Sequence, residues 1–141
     1  MKDFGKCVSA TRDPRIVLEE QRSTLVFLNP QRQEVRKVQV DGCAIKDGER
    51  CDFLLIEGHG VEHYVELKGA KVLKAVEQIK ATINRISEDG KRQRKHSYIV
   101  STCCPLASAQ IQNIKIRFKR DFNSSFQVET IQAEVTLPRD R

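Results

Sequence analysis

The apolar positions of residues 13–28 recur with a helical period. Asp13-Pro14 is typical of a helix N-cap and first turn, and Asn29-Pro30 is typical of a helix end. On a wheel of about 3.6 residues per turn, one stripe holds Val17, Gln21, Thr24, Leu25 and Leu28. These positions predict a helix from Ile16 to about Leu28, with Glu20 on the flank of its apolar stripe.

A period of two, which is typical of strands, replaces the helical period over residues 34–41. Val38 and Val40 lie on one side of a strand predicted over 34–41, and a turn follows at Lys46-Asp47-Gly48-Glu49. Two further runs, 52–56 and 64–68, flank Gly58-His59-Gly60 and predict a hairpin. Because both runs are apolar on either face, they predict central strands that are covered on both sides.

The spacing becomes helical again after Gly69. Apolar residues separated by four, three, four and three positions predict an amphipathic helix, ended by Asp89-Gly90, through Val72, Val76, Ile79, Ile83 and Ile86. A strand over 96–102, a helix from Pro105 through Phe118 and one or two strands over 126–137 follow, with a break in parity near Ile131. This order predicts a single α/β domain over residues 1–141, with three layers and a mixed sheet.

Composition and charge add three expectations. The 141 residues suffice for one core, and 25 basic against 19 acidic residues give a formal net charge of +6, which favours a polyanionic partner such as nucleic acid. No apolar run approaches the roughly 20 residues of a membrane helix, and the first residues lack the apolar segment of a signal peptide. We therefore expect a cytoplasmic protein without membrane contact.

Five cysteines without a CxxC pair predict reduced, mostly buried thiols.

Three charged residues stand within the predicted hairpin. If Glu57 pairs with Val61, Asp52 falls opposite Glu66, and Lys68 shares their face. A loop shorter by one residue would move Asp52 to the other face. Two carboxylates beside a lysine predict a metal site, since charges are rarely buried unless they are paired or bind a metal. The alternative is a solvated cross-strand salt bridge of little energetic consequence.

The order of elements, with Asp52 on one strand and Glu66-Leu67-Lys68 on the next, resembles the PD-(D/E)XK nuclease superfamily over roughly residues 13–102. Cys51 stands where the family motif often has proline. The family core is an αβββαβ arrangement, so the resemblance implies that core with an added C-terminal helix and one or two strands. The small size and basic charge are also similar, loosely, to nucleases of the archaeal Holliday-junction resolvase type.

The resemblance implies a Mg²⁺- or Mn²⁺-dependent nuclease that hydrolyses phosphodiester bonds, with DNA as the expected substrate in repair, recombination or defence. Asp52, Glu66 and the backbone carbonyl of Leu67 would hold the metal, and Lys68 would act beside a metal-bound water. Asp41 is the second choice of metal-binding acid if the hairpin register differs. The family also implies a homodimer for cutting both strands of a duplex.

Two further residues match supporting positions of the family. Glu20, on the predicted first helix, stands where many members carry an additional acid. Gln78, on the predicted second helix, matches the first residue of a Gln-x-x-x-Tyr pattern, whereas Thr82 replaces the tyrosine. We expect both Glu20 and Gln78 to support catalysis.

Basic residues cluster in segments that we expect to contact nucleic-acid phosphates. They are Lys71, Lys74, Lys91, Arg92, Arg94 and Lys95. A nuclease is one of three functions open on these observations. An inactive nuclease-fold module would use the basic loops to bind nucleic acid, and a protein-binding or immunity-type domain would present the same surface to an acidic protein.

Overall fold

A six-stranded sheet divides the molecule into a helical side and a side covered by a second, smaller sheet. The computed structural model describes residues 3–67, 71–103 and 106–139. In chain order the elements are β1 (Val8–Thr11), β2 (Arg15–Glu20), β3 (Ser23–Leu28), β4 (Val35–Gln39), β5 (Phe53–Ile56), β6 (Glu62–Leu67), α1 (Val72–Ile86), β7 (Lys95–Ser101), α2 (Ser108–Phe122), β8 (Ser124–Thr130) and β9 (Gln132–Thr136). The predicted α/β class, three layers and mixed sheet are confirmed.

The large sheet has the strand order β1-β4-β5-β6-β7-β8. Its first four strands are antiparallel, whereas β6, β7 and β8 run parallel, with α1 and α2 as the crossover helices. The small sheet has the order β2-β3-β9. Alternation along each strand sends side chains to two separate cores: Leu54 and Tyr64 pack beneath the helices, whereas Leu55 and Val65 pack against the small sheet.

The predicted helix from Ile16 to Leu28 is wrong. These residues form the β2–β3 hairpin, with Ile16 opposite Phe27 and a turn in which Gln21 has a φ of 49°. The alternate residues Ile16, Leu18, Leu25 and Phe27 are buried against the large sheet, so the period of two decides the fold of this segment. Five residues of β9, more than 100 positions downstream, pair with β3 and complete the small sheet.

The expected αβββαβ core therefore lacks its first helix, and β1, which was not predicted, joins the large sheet. From β4 to β9 the predicted order agrees with the structure. The hairpin of β5 and β6 has the predicted register: Leu54 lies opposite Tyr64, and the Glu57 amide donates to the Val61 carbonyl at 2.9 Å. The parity break near Ile131 is a turn with a φ of 71° between β8 and β9. Within the described residues, no helix is both long enough and apolar enough to cross a membrane.

The prediction of reduced cysteines is wrong for Cys7 and Cys43, which form a disulfide. The pairing of β1 with β4 brings the two together: Val8 lies opposite Val38, so the residue before β1 meets the loop that follows β4. Their separation of 36 residues gives no local spacing signal. Cys51 remains a buried thiol.

A buried polar network lies on the face of the large sheet away from the helices. His63 contacts Glu57 Oε2 through Nε2 at 2.6 Å and Tyr98 through Nδ1 at 2.8 Å. Arg139 Nη1 also donates to the Tyr98 hydroxyl, at 2.9 Å, and the Arg139 carbonyl lies 3.0 Å from His96 Nε2. The network therefore fixes the C-terminal segment on the sheet.

Candidate functional site

Asp52 and Glu66 lie together on the helical side of the hairpin, and each is only 3 % exposed. Glu66 alternates with Tyr64, which packs beneath the helices. The Asp52 amide donates to Val65 O at 3.1 Å, and its carboxylate accepts the Leu67 amide hydrogen at 2.8 Å. At the end of β6, the Leu67 amide thus donates to a side-chain oxygen of Asp52, where a regular sheet would provide a backbone carbonyl as the acceptor. This bond fixes the carboxylate beside Glu66.

A polar cavity of about 230 Å³ opens beside Asp52. It is bounded by the loop between β4 and β5, the start of β5 and one face of α1, and its lining residues are Asp41, Gly48, Glu49, Arg50, Asp52, Lys74 and Gln78. Three carboxylates and two cations line it, so groups that can hold a metal ion and groups that can contact a phosphate share one space. Two of the predicted site residues, Lys74 and Gln78, are brought to Asp52 by α1.

The face of α1 that contains Lys74 and Gln78 continues to Thr82, because residues four apart lie above one another on a helix. Thr82 is fully buried, and its hydroxyl donates to Gln78 O at 2.8 Å. The same hydroxyl accepts the amide hydrogen of Cys51 at 2.8 Å. Thr82 therefore joins α1 to the residue directly before Asp52, and this positioning role was missed in the sequence.

The thiol of Cys51 reports the electrostatics of the site. Burial raises its pKa to about 12, with a hydrogen bond between the thiol and Thr82 opposing the shift and the negative charges of Glu66 and Asp52 adding to it. The thiol therefore stays protonated at neutral pH and is a poor nucleophile. Both carboxylates therefore lie close enough to the thiol to act on it electrostatically.

The donor chemistry fits a hard divalent cation. Mg²⁺ is commonly held by one or two carboxylates together with water, and Asp52 and Glu66 provide such a pair. In the parts of the chain that the structure describes, no group of three or more histidine, cysteine or acidic residues is placed to hold a metal ion. Any cation here would keep much of its hydration shell, which suits Mg²⁺ or Mn²⁺ better than a structural zinc.

Of three further predicted site residues, one is not described, one lies elsewhere and one contacts Asp52 through its backbone. Lys68 directly follows β6 but lies outside the described residues. Glu20 ends β2 in the small sheet, on the side of the large sheet opposite Asp52 and Glu66, so its prediction as a helix-borne catalytic acid is wrong. The Leu67 side chain is buried against the small sheet, and its amide donates to Asp52.

The predicted phosphate-binding residues fall into two distant groups. Lys71 and Lys74 are exposed at the start of α1, beside the cavity. The loop with Lys91, Arg92 and Arg94 lies at the other end of the sheet, where the Glu62 amide at the start of β6 donates to Arg94 O at 3.0 Å.

The prediction that Lys95 contacts phosphates is wrong. Lys95 is 1 % exposed, and its ammonium group donates to the carbonyls of Asp89 and Phe122 at 2.8 and 3.0 Å and to that of Gln93. Lys95 therefore ties the basic loop to the C-terminal end of α2. Burial lowers its pKa, and the charges of Glu62 and Asp89 oppose this effect.

No family model, curated protein or solved structure matches this chain. The residues of the cavity are therefore the basis for any functional assignment.

Proposed function

We propose that the chain is a metal-dependent nuclease of the PD-(D/E)XK type that hydrolyses phosphodiester bonds, with DNA as its substrate. The observation that carries the proposal is the placement of Asp52 and Glu66, both almost fully buried, on one face of the β5–β6 hairpin. Two neighbouring carboxylates are ligands that suit a hard divalent cation. Such a cation would share the site with the lysine that follows Leu67.

The proposal assigns a separate role to each side chain. Asp52 and Glu66 would hold Mg²⁺ or Mn²⁺, which supplies Lewis acidity toward the phosphate and lowers the pKa of a bound water. The Leu67 amide fixes Asp52 for this task, as its hydrogen bond to Oδ2 of 2.8 Å indicates. Lys68 would orient the attacking water and stabilise charge that develops on the phosphate.

Helix α1 supports the same site from the other wall of the cavity. Gln78 lines the space beside Asp52, and its polar amide can donate to a water or to a phosphate oxygen. Lys74 lines the same space, and Lys71 lies one turn earlier at the helix start. These two lysines would attract the phosphate backbone without selecting a base sequence.

The experiment incubates the pure protein with linear, circular and branched DNA and with RNA, in Mg²⁺, Mn²⁺ or EDTA. The proposal expects cleavage of DNA that requires the metal and is lost in Lys68→Ala. Lys115→Ala is the matched control, since Lys115 is exposed on α2 and does not line the cavity. Its cleavage rate should remain within about twofold of the wild type.

Two outcomes would contradict the proposal and select another function. Metal-independent binding of nucleic acid without cleavage would identify an inactive nuclease-fold module. Neither binding nor cleavage would favour a protein-binding or immunity-type domain, whose basic surface meets an acidic protein.

A further inference from the structure

Arg50 is a cation that lies within the cavity, two positions before Asp52. Its Nε donates to Asp41 Oδ1 at 2.8 Å, and its Nη1 donates to Gly48 O at 2.7 Å. Both partners belong to the same loop between β4 and β5. The guanidinium group is therefore fixed in place before any ligand arrives.

These two bonds leave donor capacity on the guanidinium group. Among the residues that the structure describes, none accepts a hydrogen bond from Nη2 of Arg50. The Arg50 side chain is 29 % exposed and that of Asp41 is 38 % exposed, so solvent and ligands reach the pair. A planar guanidinium with an available edge matches the oxygens of a phosphate group better than an ammonium does.

Charge within the cavity determines when such a phosphate is accepted. Asp41, Glu49 and Asp52 give three formal negative charges, against two positive charges from Arg50 and Lys74. Without a divalent cation the lining is net negative and opposes an anion. A divalent cation would offset the charges of its two ligands, Asp52 and Glu66, and the space would then suit a phosphodiester next to the two cationic side chains.

We propose that Arg50, held by Asp41 and Gly48, binds a phosphate of the nucleic-acid backbone next to the scissile position, and that Asp41 is its counterion until the substrate arrives. The inference rests on the proposed nuclease function and assigns Arg50 as the main phosphate-binding side chain of that site. A cavity of about 230 Å³ accommodates a phosphate and a hydrated ion rather than a whole nucleotide with its base. The contact is thus to the backbone, and the substrate class is nucleic acid cut without regard to base sequence.

The experiment measures binding separately from cleavage. Fluorescence anisotropy with a labelled DNA duplex is recorded in Ca²⁺ and in EDTA at several salt concentrations, for the wild type, Arg50→Gln, Arg50→Lys and Asp41→Asn. Arg12→Gln is the matched control, because it removes the same charge from another exposed ion pair, with Glu34 at 3.2 Å, that does not line the cavity. Thermal unfolding checks that each variant is folded.

Arg50→Gln should raise the Kd for DNA about tenfold in Ca²⁺ and lower the slope of log K against log salt by about 0.9, as expected for one lost phosphate contact. Arg50→Lys should lie between it and the wild type, and Asp41→Asn should tighten binding about threefold. If Arg50→Gln and Arg12→Gln have the same Kd and the same salt slope, the assignment of Arg50 is wrong. DNA binding that depends on Arg50 in a protein that never cleaves would contradict the nuclease proposal but support Arg50 as a phosphate-binding residue.

Discussion

Oδ2 of Asp52 accepts the backbone amide hydrogen of Leu67 at 2.8 Å. The bond joins the residue before β5 to the last residue of β6, so the acid is fixed by the same strand that contains Glu66. A surface salt bridge of mobile side chains has no such constraint, and both acids are only 3 % exposed. The hydrogen bond and the burial favour a preorganised site over the alternative interpretation, a solvated cross-strand salt bridge.

Asp52→Asn should weaken metal binding while leaving the fold intact. The amide oxygen of asparagine can still accept the Leu67 amide hydrogen, but the negative charge is gone. We expect affinity for Mn²⁺ to fall at least about tenfold in isothermal titration calorimetry. Asp47→Asn is the control, because Asp47 is exposed in the same loop and does not line the cavity; its backbone carbonyl accepts a hydrogen bond from Arg85. Equal Mn²⁺ affinity in the two variants would exclude Asp52 as a ligand.

Thr82→Val should destabilise the protein, because it leaves the buried amide of Cys51 without its acceptor at 2.8 Å. A buried donor without an acceptor costs about 1–3 kcal/mol in the free energy of unfolding, which urea denaturation measures. Thr82→Ser keeps the hydroxyl and should lose much less. If valine and serine are equally tolerated, Thr82 does not position the loop residue that precedes Asp52.

Stability should fall on acidification because of His96. Burial lowers the pKa of His96 to about 4, with the positive charges of His63 and Arg139 adding to the shift and Glu57 opposing it. The pKa of the same histidine is near 6.5 in the unfolded chain. At pH values between about 4 and 6.5, the unfolded chain therefore binds a proton that the folded chain does not. The free energy of unfolding therefore decreases as pH falls through this window, by up to about 3 kcal/mol.

Urea denaturation at several pH values tests this dependence. In the wild type the Arg139 carbonyl lies 3.0 Å from His96 Nε2. His96→Gln keeps a donor for this carbonyl but cannot titrate, so its free energy of unfolding should depend less on pH. His59→Gln changes an exposed histidine and should follow the wild type. The same slope in His96→Gln and the wild type would show that His96 does not control acid stability.

The disulfide of Cys7 and Cys43 should stabilise the fold by restricting the unfolded chain. For a separation of 36 residues, the chain-entropy estimate is about 3–4 kcal/mol. Reduction, or the double substitution Cys7→Ser and Cys43→Ser, should lower the free energy of unfolding by an amount of that order. Mass spectrometry after alkylation in denaturant should find both residues protected until a reductant is added. Alkylation of both without reductant would disprove the pairing.

The central part of the fold could be predicted because its signals are local. The hairpin register follows from Gly58-His59-Gly60, and α1 follows from apolar residues at a helical period. The apolar residues within 15–28 fit a helical stripe, and Ile16 and Leu18 also fit the alternation of a strand. Which of the two forms depends on pairing with β9, which no local pattern reveals.

The site was predictable only in part for a similar reason. Asp52, Lys74 and Gln78 meet because α1 crosses back over β6, which the order of elements implies. Arg50 and Asp41 were not predicted to form a pair, since their contact depends on the path of an irregular loop. The burial of Lys95 depends on the end of α2, which is 27 residues away in sequence.

The most direct test of the account is the rate of DNA cleavage by the wild type and by Glu66→Gln, each measured with Mg²⁺ and with EDTA. Glutamine preserves the shape of the buried side chain and removes the charge that the proposed metal requires. The account predicts cleavage by the wild type only with Mg²⁺, and a rate lower by on the order of a hundredfold or more in Glu66→Gln. A wild type that does not cleave, or a Glu66→Gln variant that cleaves at the wild-type rate, would contradict it.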